Sequence, residues 1–143
     1  MTYCLLKKAD DEDIPLILSA YKQPAISQFI SIDEENYWKY ITSTENVYFY
    51  KIYKDDILVS TIHLEYDNRI LYMSVVVFPE FQKRGIATTI LKDIQAGKLE
   101  LDFDKIQVSI DEKNTTSIKL FESAEFVCVC KDEELWEYEY TKS

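Results

Sequence analysis

The sequence is poor in glycine, and this shortage excludes the glycine-rich nucleotide sites. It holds two glycines in 143 residues, whereas average usage of about 7% would give roughly ten. The P-loop order GxxxxGK followed by Ser or Thr is absent, and a dinucleotide-binding GxGxxG would need two more glycines. One of the two, Gly85, lies in the stretch VVVFPEFQKRGIATTIL, so a specific backbone requirement is expected there.

Cysteine and histidine are also scarce. The three cysteines are Cys4, Cys128 and Cys130, and the only histidine is His63. Their number and spacing fit neither a disulfide framework nor a zinc site. We therefore predict reduced cysteines on strands and no metal site.

Positive charge and long apolar runs are both limited. With 16 basic and 26 acidic residues the net charge is −10, so most of the surface repels nucleic acid phosphates and suits a cationic partner. No apolar run approaches the ~20 residues of a membrane-spanning helix, and the start MTYCLLKKADDED has no signal-peptide pattern. We expect a cytoplasmic protein that binds neither nucleic acid nor membrane.

What the sequence does contain is an alternation of strand and helix patterns. The predicted order is β-α-α-β-β-β-α-β-α-β-β, an α/β fold with a mixed sheet in a single domain over residues 1–143. Residues Asp10 to Asp13 are expected to cap the first helix and to place carboxylates in its first turn. Ser31 and Glu34 have the spacing of a capping box, which predicts where the second helix begins.

The strand ILYMSVVV and the helix after it form the most informative segment. This strand has no polar alternation beyond Ser74, and its nearly continuous β-branched run predicts cover on both faces. A helix is expected from Gly85 to about Ala96, with Gly97 as a left-handed cap. Amides at the start of this helix would point outward and could bind an anion, next to the positive charges of Lys83 and Arg84. On this stretch alone, an ordinary surface turn with solvated charges is the better interpretation.

Two motifs resemble the GNAT superfamily of N-acetyltransferases. The run VFPEFQKRGIA, from Val77 to Ala87, is similar to the family pattern V-x-P-x-x-Q/R-x-x-G-x-G/A. The run NTTSIKLFESAEF, from Asn114 to Phe126, is similar to N-x-x-S/A-x-x-L/F-Y/F-x-x-x-G-F. The order of elements also matches along nearly the full chain. The resemblance implies a GNAT-like acyl-CoA N-acyltransferase fold that uses acetyl-CoA as co-substrate.

The resemblance also implies which residues bind the cofactor. The main-chain groups of Val75, Val76 and Val77 would pair with the pantetheine arm, in a gap where the fourth and fifth strands separate. Asn114 would hydrogen-bond the arm, and Phe121 would flank the thioester sulfur. The residues expected to hold the pyrophosphate are Gln82, Lys83, Arg84, Gly85, Ile86, Ala87 and Thr88.

Two residues depart from the family pattern. Phe121 stands where many relatives have a tyrosine that protonates the leaving thiolate, and phenylalanine has no proton to donate. Glu125 stands where the family has glycine before Phe126, so the turn there is expected to differ or to be strained.

The candidate catalytic residues are Glu65, Ser74 and Asn114. Glu65 shares one side of its strand with His63, and either could act as a base. A surface charge and an ordinary strand histidine are the alternatives. Ser74 could contact the cofactor or satisfy a strand bulge.

The acceptor is expected to be a primary amine of a small molecule or a peptide, with a positive charge that suits acidic residues and tyrosines. The resemblance places its pocket along KQPAISQF and the hairpin turn Asp132–Glu134. For Tyr138 and Tyr140 on the last strand, the alternatives are core packing and a homodimer contact. Two rival functions stay open. One is a non-catalytic acyl-CoA-binding sensor or regulatory protein, and the other is an interaction protein that binds no cofactor.

Overall fold

A mixed seven-stranded sheet organises the chain, of which the computed structural model describes residues 1–142. The strand order is β1-β2-β3-β4-β5-β7-β6, with β4 and β5 parallel, so the predicted α/β fold class is confirmed. The strands are β1 Thr2–Leu5, β2 Val47–Lys54, β3 Ile57–Asp67, β4 Ile70–Val77, β5 Lys105–Asp111, β6 Val127–Asp132 and β7 Leu135–Thr141. The helices are α1 Ile14–Tyr21, α2 Pro24–Ser27, α3 Tyr37–Ser43, α4 Ile86–Gln95 and α5 Thr115–Ser123, with a 3-10 turn at Pro79–Phe81.

The described residues form two compact units. The first contains residues 1–64 and 75–84, and the second contains residues 65–74 and those from 85 onward. Ile17 and Phe49 are fully buried in the first core, and Ile90 and Ile106 in the second. The single domain over residues 1–143 stays a prediction. No helix within residues 1–142 is both long and apolar enough to span a bilayer.

In the first unit, α1 begins differently from the prediction. Asp13 occupies the N-cap position, but its side chain makes no capping bond, and the first turn contains no acidic residue. Its carboxylate instead accepts from Lys51 Nζ at 2.9 Å and from Tyr53 OH at 2.5 Å. The predicted side-chain cap is therefore wrong, because a nearly buried ammonium group on β2 binds a carboxylate more strongly than a neutral amide does.

The predicted start of the second helix is also wrong. Helix α3 begins at Tyr37, and the N-cap residue Asn36 makes no side-chain capping bond. The carboxylate of Asp33 accepts from the N–H of Glu35 at 3.1 Å and from Asn36 Nδ2 at 3.0 Å. These local bonds favour a turn where the capping box predicted a helix. Upstream, Pro24 begins the additional short helix α2, as proline often does at a first helical position.

In the second unit, helix α4 follows the predicted pattern. Ile86, Ile90 and Ile94 are all buried, and Gly97 follows the helix with φ of +82°, which confirms the left-handed cap.

The predicted cover on both faces of β4 is wrong. Tyr72 and Ser74 are exposed, whereas Leu71 and Met73 are buried. The start of β4 therefore has one buried and one open face, as strands covered by helices on one side do.

Candidate active site

At the carboxyl end of β4, successive residues direct their main-chain groups alternately towards β3 and away from it. Phe78 donates its N–H to the carbonyl of Val59 on β3 at 2.9 Å. The buried Ser60 hydroxyl donates to the carbonyl of Val76 at 2.6 Å. Because main-chain groups alternate sides along a strand, Val75 and Val77 direct theirs away from β3. These two valines, rather than Val76, have the orientation needed to pair with an added extended chain.

Strand β5 pairs with only the first residues of β4. Ile70, Leu71 and Tyr72 are the paired residues of β4, while β5 pairs with β7 along its whole length. Residues 73–77 therefore continue β4 beyond this register.

The segment after β4 turns sharply at its end. Gln82 donates its N–H to the carbonyl of Pro79 at 3.3 Å, so this amide is used inside the turn, and its side chain donates to the carbonyl of Val77 at 3.0 Å. Lys83 has φ of +64°, in the left-handed region that non-glycine residues rarely adopt. The guanidinium carbon of Arg84 lies 5.7 Å from the ring centre of Phe81. Both basic residues are exposed.

Gly85 occupies the N-cap position of α4 with φ of +76°. A Cβ atom built there would meet no heavy atom within 4 Å. The N–H groups of Ile86, Ala87 and Thr88 form the first helical turn, which has no carbonyl four residues back within the helix. In the described part of the chain, no main-chain carbonyl accepts from them. The start of α4 thus combines a left-handed glycine, open space and three donors suited to an anion.

Two candidate site residues belong to α5. Asn114 is its N-cap residue, and Phe121 lies within the helix. The Oδ1 atom of Asn114 accepts from the N–H of Ser117 at 3.3 Å, so its carbonyl oxygen caps the helix and its amide nitrogen is the group left for a ligand. Phe121 is buried, with its ring edge-on to Phe126 at 5.0 Å between centres. This packing fixes the phenyl ring from one side.

The turn after α5 keeps a glycine-like shape without glycine. Glu125 has φ of +72°, and Phe126 donates its N–H to the carbonyl of Phe121 at 3.0 Å. A left-handed conformation costs an L-residue about 1–2 kcal/mol. The departure from the family pattern therefore appears as backbone strain at Glu125.

The candidate bases have different surroundings. In the first unit, Nδ1 of His63 lies 2.5 Å from the hydroxyl of Tyr37, and the ring of Tyr40 stacks on the imidazole with 6.5 Å between centres. The sequence did not reveal this orienting partner. In the second unit, Glu65 is half-buried on β3 and Ser74 is exposed on β4.

The segment KQPAISQF borders a pocket of about 230 Å³ in the first unit. Lys22 and Glu34 form an exposed ion pair at 3.4 Å on its wall. Tyr21 donates to or accepts from Thr61 Oγ1 at 2.6 Å, and burial raises the pKa of this phenol to about 12. Its hydroxyl is therefore neutral at neutral pH. The pocket is lined by Leu18, Tyr21, Lys22, Ser27, Ile30, Ser31, Ile32 and Glu34.

The last hairpin contributes to the core through its tyrosines. Tyr138 is 1% exposed, and the half-buried ring of Tyr140 lies 5.7 Å from that of Phe126. These contacts support core packing for this strand face. The turn residues Asp132–Glu134 are exposed in the second unit.

The sequence model of the acetyltransferase (GNAT) domain matches residues 17–137. The chain belongs to the GNAT family. No curated protein matches the sequence significantly.

Several solved GNAT structures share the fold at low sequence identity. Campylobacter jejuni N-acetyltransferase PseH in complex with acetyl coenzyme A has a TM-score of 0.78 and 14% identity, over 99% of this chain and 100% of PseH. Vibrio cholerae spermidine N-acetyltransferase in complex with CoA and spermine has a TM-score of 0.79 and 18% identity, over 99% and 95% of the two chains. The GNAT domain of S. lividans PAT has a TM-score of 0.78 and 12% identity, over 97% and 89%.

Proposed function

We propose that this GNAT chain is an N-acetyltransferase that moves the acetyl group of acetyl-CoA to a cationic primary amine by direct attack in a ternary complex. The observation that carries the proposal is the start of α4, where Gly85 is left-handed and unobstructed and three first-turn amides have no main-chain acceptor in the described residues. A helix start of this kind binds the phosphates of a cofactor.

The cofactor would be held mainly by main-chain groups. The main-chain groups of Val75 and the N–H of Val77, whose carbonyl accepts from Gln82, would pair with the pantetheine arm as an added strand does. Main-chain N–H groups of this strand end would also polarise the thioester carbonyl, since a fixed donor stabilises the developing oxyanion. The amides of Ile86, Ala87 and Thr88 would hold the pyrophosphate.

The loop side chains would support this arrangement. Lys83 and Arg84 add local positive charge to a chain whose net charge is −10. The main-chain N–H of Gln82 already donates within its own turn. In the proposal, the side chain of Gln82 holds the carbonyl of Val77. Asn114 would offer its amide nitrogen to the cofactor arm.

The amine has to lose a proton before it attacks. With a lysine-like pKa of about 10.4, roughly one amine in 10³ is neutral at pH 7. Glu65, or water near it and Ser74, is the proposed route for this proton. Glu65 is the proposed base, and His63, which the hydroxyl of Tyr37 orients, is the alternative base.

The reaction also requires that the thiolate of CoA leave and be protonated. A pKa near the cysteine reference of about 8.5 makes it a tolerable leaving group, and loss of a general acid typically slows a reaction by ~10²- to 10⁴-fold. Phe121 has no proton to give, so water would protonate the thiolate. The lack of a proton donor at Phe121 also favours a second function, a sensor or regulatory protein that binds acyl-CoA without turnover.

Two measurements separate these functions. Acetyl-CoA at 100 times its Kd should stabilise the protein by about 2.7 kcal/mol. No stabilisation would remove both cofactor-binding functions and leave the interaction protein. Release of free thiol in an amine panel then identifies the enzyme, and tight cofactor binding without thiol release identifies the sensor. The cytoplasmic location and a homodimer stay predictions.

A further inference from the structure

One face of the sheet in the second unit is polar and open. Residues paired across neighbouring strands point to the same face. Tyr72 pairs with Gln107, which pairs with Glu139, and Ser109 pairs with Glu137. Ser74 lies two residues beyond Tyr72 and therefore on the same side. We call Tyr72, Ser74, Gln107, Ser109, Glu137 and Glu139 the polar sheet face.

The opposite face of these strands already forms the core. Leu71, Ile106 and Val108 are at most 3% exposed. Helix α5 covers this side, because Phe121 packs on Phe126 and Phe126 packs on Tyr140. On the polar sheet face, Tyr72 is 38% exposed and Ser74 and Ser109 are also exposed. Core formation therefore does not explain the residue types on this face.

Glu137 is oriented by neutral donors. Ser109 Oγ lies 2.8 and 2.7 Å from the two carboxylate oxygens, which share its single proton, and Gln107 Nε2 donates at 3.3 Å. Glu137 is half-buried, and within residues 1–142 no Lys or Arg forms an ion pair with it. Glu139, by contrast, lies 3.4 Å from Lys105 Nζ. One carboxylate on this face is thus fixed in direction and has no ion-pair partner among the described residues.

We propose that the polar sheet face binds a second ammonium group of the acceptor, one that keeps its proton, so that the acceptor is an alkyl diamine or polyamine. This inference rests on the proposed function. The attacking nitrogen must be neutral, so a fixed carboxylate is suited to another nitrogen that keeps its proton. Tyr72 adds an exposed ring for cation–π contact. In sequence, Ser74 directly precedes Val75, the first residue of the proposed thioester-binding segment.

Charge complementarity selects this acceptor class. A carboxylate with two neutral donors attracts a cation and repels an acidic substrate. An alkyl chain between two ammonium groups would cross β5 from Glu137 on β7 towards Ser74 on β4, where the side chains of Gln107 and Tyr72 flank it. A monoamine would use only the reactive end and gain nothing from Glu137.

The test compares a diamine with a monoamine of equal chain length, 1,4-diaminobutane and 1-aminobutane. Glu137→Gln keeps the shape of the side chain and removes its charge. We expect KM for the diamine to rise about tenfold, the effect of one lost charge-assisted contact, with kcat within about twofold and the monoamine unchanged. Ser109→Ala, which frees the carboxylate from its donor, should act in the same direction. The matched control is Glu45→Gln, which removes one exposed charge elsewhere and should change neither substrate.

Direct binding separates this inference from the proposed function. Titration calorimetry of 1,4-diaminobutane into the complex with CoA should show binding that weakens with salt and is lost in Glu137→Gln. If acetyl-CoA binds and no amine releases thiol, the proposed enzyme fails, but diamine binding that depends on Glu137 still supports the polar sheet face. Equal binding of the diamine to wild type and Glu137→Gln, or equal KM changes for both amines, overturns the inference.

Discussion

Substitution of Gly85 by alanine tests the proposed phosphate site directly, and Gly97 supplies the matched control. Both glycines are left-handed, with φ of +76° and +82°, and a Cβ atom at either meets no heavy atom within 4 Å. The added methyl group therefore causes no clash within the described residues. Its cost to folding is conformational and nearly the same at both positions.

The magnitude follows from the backbone angle. A left-handed conformation costs an L-residue about 1–2 kcal/mol. The loss of glycine's freedom in the unfolded chain offsets about 0.5–1 kcal/mol of that cost. Gly85→Ala and Gly97→Ala should each lower the free energy of unfolding by about 1 kcal/mol, and both proteins should keep the fold.

Cofactor binding should distinguish the two variants. At Gly85 the methyl group enters the space proposed for phosphate oxygens, so we expect affinity for acetyl-CoA to fall at least about tenfold, and Gly85→Val should abolish binding. With acetyl-CoA at 100 times the wild-type Kd, wild type and Gly97→Ala gain about 2.7 kcal/mol, and Gly85→Ala gains about 1.4 kcal/mol or less. Urea denaturation with and without acetyl-CoA measures these gains. The full gain in Gly85→Ala would refute the phosphate-site assignment.

Three further substitutions test other parts of the molecule. Asp13→Asn should lower the free energy of unfolding by about 1–3 kcal/mol because Lys51 loses one of its two carboxylates; an unchanged urea midpoint would contradict this. Glu125→Gly should raise stability by up to about 1 kcal/mol by relieving the left-handed strain, whereas Glu125→Ala should not, and equal effects would refute the strain. Phe121→Tyr should preserve or raise thiol release with an accepted amine; a large loss would mean that the buried ring has no room for a hydroxyl.

The Asp13 contact also predicts a dependence on acid. The hydrogen bond from Lys51, and then that from Tyr53, lowers the pKa of Asp13 below its ordinary 3.8. Its contribution is therefore present above the ordinary carboxyl pKa and is lost as pH falls through the lowered folded-state pKa. The wild type should lose more stability than Asp13→Asn in this acidic window. Parallel urea curves at each pH for the two proteins would contradict the coupling.

The sequence predicted the elements whose signals are local. Alternating and β-branched patterns located the strands, and isoleucines four residues apart located α4. Gly97 was predicted as a left-handed cap because no other residue type adopts that conformation at so little cost. The starts of the first two predicted helices were wrong for different reasons. Asp13 has a competing partner, Lys51, that only the folded chain supplies, whereas Asp33 forms a local turn with Glu35 and Asn36.

The sequence motifs indicated candidate site residues, but not how their main-chain groups and side chains are oriented. The two motifs located Gly85, Asn114 and Phe121. They could not show that Ser60 turns the Val76 carbonyl towards β3, or that Tyr37 binds His63, because both contacts join positions distant in sequence. The exposure of Tyr72 and Ser74 was not predicted. A strand that ends in three valines has the same apolar pattern whether helices cover one face of the sheet or both faces.

Cofactor binding and catalysis must be judged separately, because different residues carry them. In the proposal, Gly85 and the first turn of α4 hold the cofactor, and nothing in that geometry requires turnover. Turnover depends on a proton route from the amine and another to the thiolate, and Phe121 supplies neither. A protein that passes the Gly85 test and yet leaves every amine unreacted would therefore be an acyl-CoA sensor built on the GNAT fold. If the wild-type protein, with Phe121 in place, releases thiol in the presence of an amine, water would be the source of the proton for the thiolate.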